Sequence, residues 1–231
     1  MARIKQYTPN SKMADLLSDH YRILLLIFRF EIPLGMGDKT IREVCEENNV
    51  DMDTFLQIVH LIFYGHEKGG YDTHEQLNLP LVIKFLRNSH SYFLDYRLPS
   101  IQRKLTEVIS DAPEEVIFVT KKYFDEYVSE VYHHMRYEDE VVFPYVEKLI
   151  QGELDPKYSI EIFEQRHDQV ELKMLELKNI FIKYYTMKPN YEVNNILHEL
   201  FSCGDELRDH NDVEDYLFIP TVKSIEKELR K

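Results

Sequence analysis

The sequence predicts an all-α protein, an antiparallel four-helix bundle preceded by a small helical domain. Three observations predict it. Glycine is scarce, 7 of 231 residues, and long segments carry neither glycine nor proline, which favours helix. Beyond residue 78, four segments of roughly 30 residues repeat apolar side chains at three- and four-residue spacing and are joined by short connections, the pattern of a bundle. Between these segments and the N-terminal part lies a polar stretch, GHEKGGYDTHEQLN at 65–78, with three of the seven glycines. The expected division is therefore a helical domain over 1–64, a linker over 65–78 and the bundle over 79–231.

The first domain reads as three short helices. One spans about 13–30. The second follows Asp38-Lys39-Thr40, which offers an N-cap, and reaches about 48. The third starts at Asp51 or Asp53, also cap-forming residues, and ends near 63. In the bundle, Asn78 caps the first long helix with Pro80 in its first turn, and the helix runs to about 110 with a bend at Pro99. Pro113 opens the second, which runs to about 150 and bends at Pro144. The third covers about 158–187. The fourth covers about 191–229 and is interrupted near Pro220.

Composition narrows the function classes. A formal charge of −13 disfavours nucleic acid and anionic membrane surfaces as partners. The first 75 residues alone hold eight Lys/Arg against twelve Asp/Glu, so the small domain makes a poor DNA reader. Two cysteines, Cys45 and Cys203, imply no disulfide framework and point to the cytoplasm. The first ten residues contain no apolar signal region, and the longest apolar run, 23–28, is far too short to cross a bilayer.

The histidines carry the chemistry. On the second bundle helix, Tyr123, Tyr127, Val131, Val141 and Tyr145 define a core-facing stripe that also contains His134 and Glu138, one turn apart. On the fourth, Cys203, Leu207, Val213 and Leu217 define a stripe containing His210 and Glu214. On the third, Ile160, Phe163, Val170 and Met174 surround His167. On the first, Ile83, Leu86, Phe93 and Leu94 surround His90. A single buried histidine is most often a hydrogen-bonded core residue. Four in this order are different, because 44 positions separate His90 from His134 and 43 separate His167 from His210. Each half is a helical hairpin supplying a lone His and then a His-x-x-x-Glu pair. The local sequences match too: Val142-Phe143-Pro144 follows the first pair, and Leu217-Phe218-Ile219-Pro220 the second.

Buried carboxylates are costly unless cations compensate them. A dinuclear iron or manganese site compensates them, with His90, His134, Glu138, His167, His210 and Glu214 as ligands. Glu171, four residues after His167, is left outside the ligand set. Glu130 and Glu206 stand four residues before His134 and His210, where they could orient ligands, relay protons or line an ion path, or simply face solvent. His133 lies about 100° round the helix from His134 and is not a ligand. Tyr92, Tyr127 and Tyr137 are expected to be packing residues near the site.

The run His134-Met-Arg-Tyr-Glu138-Asp-Glu-Val-Val-Phe143-Pro144 and its partner around His210 resemble the hemerythrin-like (HHE cation-binding) domain over about residues 80–231. Leu16-Leu17 through Ile32, Asp38-Lys39-Thr40-Ile41 and Glu43-Val44-Cys45-Glu46-Glu47 resemble the small helical domain of the iron–sulfur cluster repair di-iron proteins (the RIC, or ScdA/YtfE, group). The resemblance implies a pseudo-symmetric hemerythrin-like bundle and a non-haem centre of two carboxylate-bridged irons with an oxo or hydroxo bridge, which manganese or zinc could replace. It implies a role in nitrosative and oxidative stress, by donating iron to apo iron–sulfur proteins or by reacting with nitric oxide. The alternative is a non-enzymatic oxygen or nitric oxide sensor that signals through the N-terminal domain. One departure stands out. Where that domain carries a Cys-Cys-Gly-Gly type motif, this chain reads Glu31-Ile32-Pro33-Leu34-Gly35-Met36-Gly37-Asp38, without the paired cysteines that a thiol step would use. The residues assign metal ligands and no catalytic group. A long amphipathic N-terminal region beside a bundle is compatible with a homodimer.

Overall fold

A computed structural model describes residues 6–65, 77–165, 170–184 and 191–231. Among the described residues every regular element is a helix, and no helix is long and apolar enough to cross a membrane. Contacts group the chain into two compact units, Met1–Ser89 with Asp212–Thr221, and His90–Asn211 with Val222–Lys231. Most of the expected linker, residues 66–76, lies outside the described residues.

In the first unit the N-terminal helices are α1 (Met13–Asp19), α2 (Ile23–Arg29), α3 (Ile41–Glu47) and α4 (Met52–Tyr64). The single helix expected over 13–30 is two. His20 leaves the helical backbone, at φ −142° and ψ 81°. Its ring lies on Phe63 of α4 at 4.1 Å, and the neighbouring Asp19 accepts the Tyr7 hydroxyl. These tertiary contacts outweigh the local preference to continue the helix. The expected caps form. Thr40 and Glu43 close a capping box on α3, and the Asp51 carboxylate accepts the Thr54 N–H at the start of α4. Asn78 likewise accepts the Leu81 N–H at 3.1 Å. Phe30 packs between Phe55 at 5.4 Å and Phe85 at 4.8 Å, so α2, α4 and the helix opened by Asn78 share one core.

Four helical runs follow. The first is α5 (Leu79–Ser91), a π-helical turn over Tyr92–Arg97 and α6 (Leu98–Val108). The second is α7 (Glu114–Tyr137), a π turn over Glu138–Val142 and α8 (Phe143–Ile150). The third comprises α9 (Ile160–Glu164), α10 (Val170–Asn179) and a π turn over Ile180–Tyr184. The fourth is α11 (Tyr191–Val213), a π turn over Glu214–Phe218 and α12 (Ile219–Leu229). Within the second unit, all four runs contribute to one core: Phe93 and Ile101, Tyr127 and Val131, Met174 and Leu177, Cys203 and Leu207.

Three of the π turns end two residues before a proline, Pro99, Pro144 or Pro220. A proline has no N–H and its ring crowds the carbonyl four residues back, which in each case lies inside the wide turn. Widening the helix there relieves the crowding without breaking the run. This is the form taken by the bends expected at these prolines.

The wide turn also slips the buried face by one residue. Val141, expected in the core stripe, is 37% exposed, while Val142 is 0% exposed. In the fourth run, Leu217 is half-buried and Phe218 takes the core position. A constant period of 3.6 misses both shifts.

The second unit is also held by a buried carboxylate. Glu226 of α12 accepts the Tyr145 hydroxyl at 2.5 Å and the Ile160 N–H at 2.9 Å, so it caps the start of α9 from another run.

Candidate metal centre

Two ligand candidates stand at the junction of α7 and its π turn. His134 is in the last turn of α7 and Glu138 is the first residue of the wide turn. The four-residue spacing places the His134 Nε2 2.9 Å from Glu138 Oε1. From the first run, His90 brings its Nε2 to 2.8 Å from Glu138 Oε2. From the fourth, His210 brings its Nε2 to 3.8 Å from the same oxygen. Three imidazoles thus converge on one carboxylate that has no exposure. Glu214 follows His210 by one turn, opens the π turn of the fourth run and is itself fully buried. One ligand atom from each of His90, Glu138, His210 and Glu214 lies within 4.8 Å of the others.

Aromatic rings wall the site. His90 stacks on Phe143 with centroids 5.5 Å apart, Phe93 meets His210 edge-on at 6.3 Å, and His134 stacks on Phe163 at 6.2 Å. Phe143 and Phe163 are fully buried, so the polar atoms sit in an apolar shell.

Electrostatics in this shell are steep. Burial alone would push the Glu138 carboxyl up, but the facing His134, His210 and His90 imidazoles hold it well below the usual carboxylate range. Burial opposes charging His90, yet Asp139 and Glu138 outweigh it and raise the imidazole to about 9. Neither Glu138 oxygen and neither ring nitrogen of His90 completes an aligned hydrogen bond. Imidazole lone pairs facing a carboxylate at these distances repel unless positive charge lies between them. Protons can supply it, and so can a metal ion. Buried imidazole and carboxylate donors, converging and imperfectly satisfied, fit a divalent or trivalent cation of the iron, manganese or zinc kind.

The structure thus brings together four of the six residues expected as ligands, His90, Glu138, His210 and Glu214, with His134 in contact with Glu138. His167 lies outside the described residues, as does the side chain of Glu171. Glu130 is half-buried and pairs with Lys173 at 3.3 Å. Glu206 accepts hydrogen bonds from Tyr92 at 2.9 Å and Ser202 at 2.6 Å and pairs with Arg97 at 3.3 Å, which ties the first run to the fourth. Tyr137 meets the Tyr158 hydroxyl at 3.2 Å, Tyr127 is fully buried in the core, and His133 is exposed.

Sequence reasoning missed Asp139, whose Oδ1 lies 3.1 Å from His90 Nδ1. A signal was present: both His-x-x-x-Glu pairs are followed at once by aspartate, Asp139 after Glu138 and Asp215 after Glu214. Both cysteines are buried, and burial pushes each thiol up to about 12.

Residues 81–222 match the family described as the hemerythrin HHE cation binding domain. The match starts after the N-terminal helices and covers more than half of the chain. A search of curated proteins finds no match. The matched span carries every described residue of the His/Glu cluster, and the chain belongs to the hemerythrin HHE cation-binding domain family.

Proposed function

We propose that the chain is a non-haem di-iron protein of the iron–sulfur cluster repair type, in which His90, His134, Glu138, His167, His210 and Glu214 would hold two irons. The single observation that carries this reading is Glu138: a carboxylate with no exposure, faced by imidazole nitrogens from three helical runs. A carboxylate shared by two cations would need that placement, with imidazoles from separate runs completing the ligand set. Iron held there would supply redox chemistry and open coordination positions. The protein's own residues fix ligand geometry, exclude bulk water through Phe93, Phe143 and Phe163, and hold the carboxylate ionised at neutral pH. A site of four imidazoles and two carboxylates holds ferrous iron less tightly than an all-nitrogen site, which suits donation to damaged clusters.

Metal analysis and the optical spectrum of aerobically purified protein test the reading first. About two irons per chain with near-ultraviolet charge-transfer bands support it; no iron after anaerobic ferrous reconstitution defeats it. The donation step is tested by mixing the ferrous protein with an apo iron–sulfur enzyme under reducing conditions. Restored activity supports donation, and none defeats it.

A second reading, a di-iron sensor of oxygen or nitric oxide acting through the N-terminal helices, is favoured by Cys45. It is the only cysteine before the bundle and is buried, with its thiol pushed up to about 12, so it is poorly suited to thiol exchange. A reversible optical change on gas binding without turnover supports sensing, and unchanged association and geometry of the N-terminal region on gas binding defeats it.

A further inference from the structure

We propose that Asp139 is the positioning residue of the His90 ligand, holding the imidazole in the one tautomer that can bind metal; this rests on the metal-centre reading above. His90 presents one ring nitrogen to each of two consecutive carboxylates. Its Nε2 lies 2.8 Å from Glu138 and its Nδ1 lies 3.1 Å from Asp139. Glu138 and Asp139 are consecutive residues of the widened turn, so their side chains diverge from one stretch of backbone and meet the ring at its two different nitrogens. An imidazole can bind a cation through Nε2 only when the remaining N–H sits on Nδ1, and a buried N–H needs an acceptor. Asp139 is the carboxylate within reach of that nitrogen, at 3.1 Å but not yet aligned as a hydrogen bond, and a small turn of the ring on binding a cation would align it.

Asp139 is also placed to do this without entering the site. It is 30% exposed while His90 is 3% exposed, and both line a surface cleft of about 340 Å³ with Asp95, Gln102, Tyr132 and Arg136. Asp139 therefore sits at the rim of the cleft and faces the buried ring from behind.

The test compares ferrous iron affinity, by competition with a chelator under anaerobic conditions, in the wild-type full chain and in four variants. Asp139→Leu removes the acceptor at similar volume and weakens binding by about 10–100-fold. Asp139→Asn keeps an acceptor oxygen without the charge and loses less. Asp95→Asn removes a negative charge from the same cleft and stays within about twofold of wild type. His90→Ala lowers affinity, and adding Asp139→Leu to it costs nothing further, because the aspartate acts only through that ring. Circular dichroism confirms equal helix content throughout. Asp139→Leu binding within twofold of wild type overturns the proposal. So does an equal loss in Asp95→Asn, which would make the effect one of bulk charge, or a full additional loss on the His90→Ala background. Wild-type protein that takes up no iron overturns the metal-centre reading together with this one; a wild type that binds beside an equally competent Leu variant overturns only this one.

Discussion

The His90 Nε2 and the Glu138 Oε2 lie 2.8 Å apart although they come from different helical runs, and neither side chain has appreciable exposure. That contact joins the lone histidine of the first hairpin to the His-x-x-x-Glu pair of the same hairpin. His134 and Glu138 meet because they are one turn apart on a single helix; His90 meets Glu138 only because the runs pack.

Replacing Glu138 by alanine removes the carboxylate on which the three imidazoles converge. Iron content falls to less than half of wild type by elemental analysis, and Glu214→Ala does the same. His133→Ala, at an exposed position, keeps iron near the wild-type level. Equal loss in all three variants contradicts the ligand assignment.

Metal-free protein loses stability as pH rises. His90 is raised to about 9 from an unfolded value of about 6.5, so its contribution is complete below about 6.5 and vanishes as pH climbs through about 9. Glu138 is lowered, so its contribution is present above about 4.3 and is lost on acidification through its folded value. Thermal unfolding of the metal-free chain should therefore be highest between about pH 5 and 6.5 and decline toward pH 9. A His90→Asn variant with the same decline contradicts the assignment of that slope.

Iron competes with protons for the same nitrogens, so loading follows the opposite trend. Affinity rises from pH 6 to 8 and protons are released on binding, measurable in weakly buffered solution. Uptake without proton release contradicts imidazole ligation in the protonated arrangement.

The cysteines are inert in the folded state. Iodoacetamide at pH 8 leaves Cys45 and Cys203 unmodified by mass spectrometry and labels both after denaturation. Rapid labelling of native Cys45 contradicts its burial.

Removing the Glu226 side chain with alanine strands the Tyr145 hydroxyl and the Ile160 N–H, both donors to it. The expected loss is about 2–4 kcal/mol, read as a lower urea midpoint at unchanged m-value. A loss below about 0.5 kcal/mol would mean that water replaces the carboxylate at both donors.

Local chemistry was legible in the sequence wherever a few neighbouring residues decide the outcome. Thr40 with Glu43, Asp51 and Asn78 cap as their side-chain chemistry requires, and His134 with Glu138 face each other because four residues make one turn. The matched hairpin spacing also set His90 and His210 on inner faces, where the structure finds them buried. What could not be read locally were competitions between elements. His20 abandons the helix to stack on Phe63, which comes from another part of the chain. Val142 and Phe218 replace Val141 and Leu217 in the core because the turns ahead of Pro144 and Pro220 are widened. The sequence by itself determined which residues could bind a cation and on which helical faces they lie, since side-chain chemistry and helical period are local properties. Only the tertiary structure decided that Glu138 receives imidazoles from three runs and that Asp139 takes the far side of His90, because those distances depend on how separate helices pack.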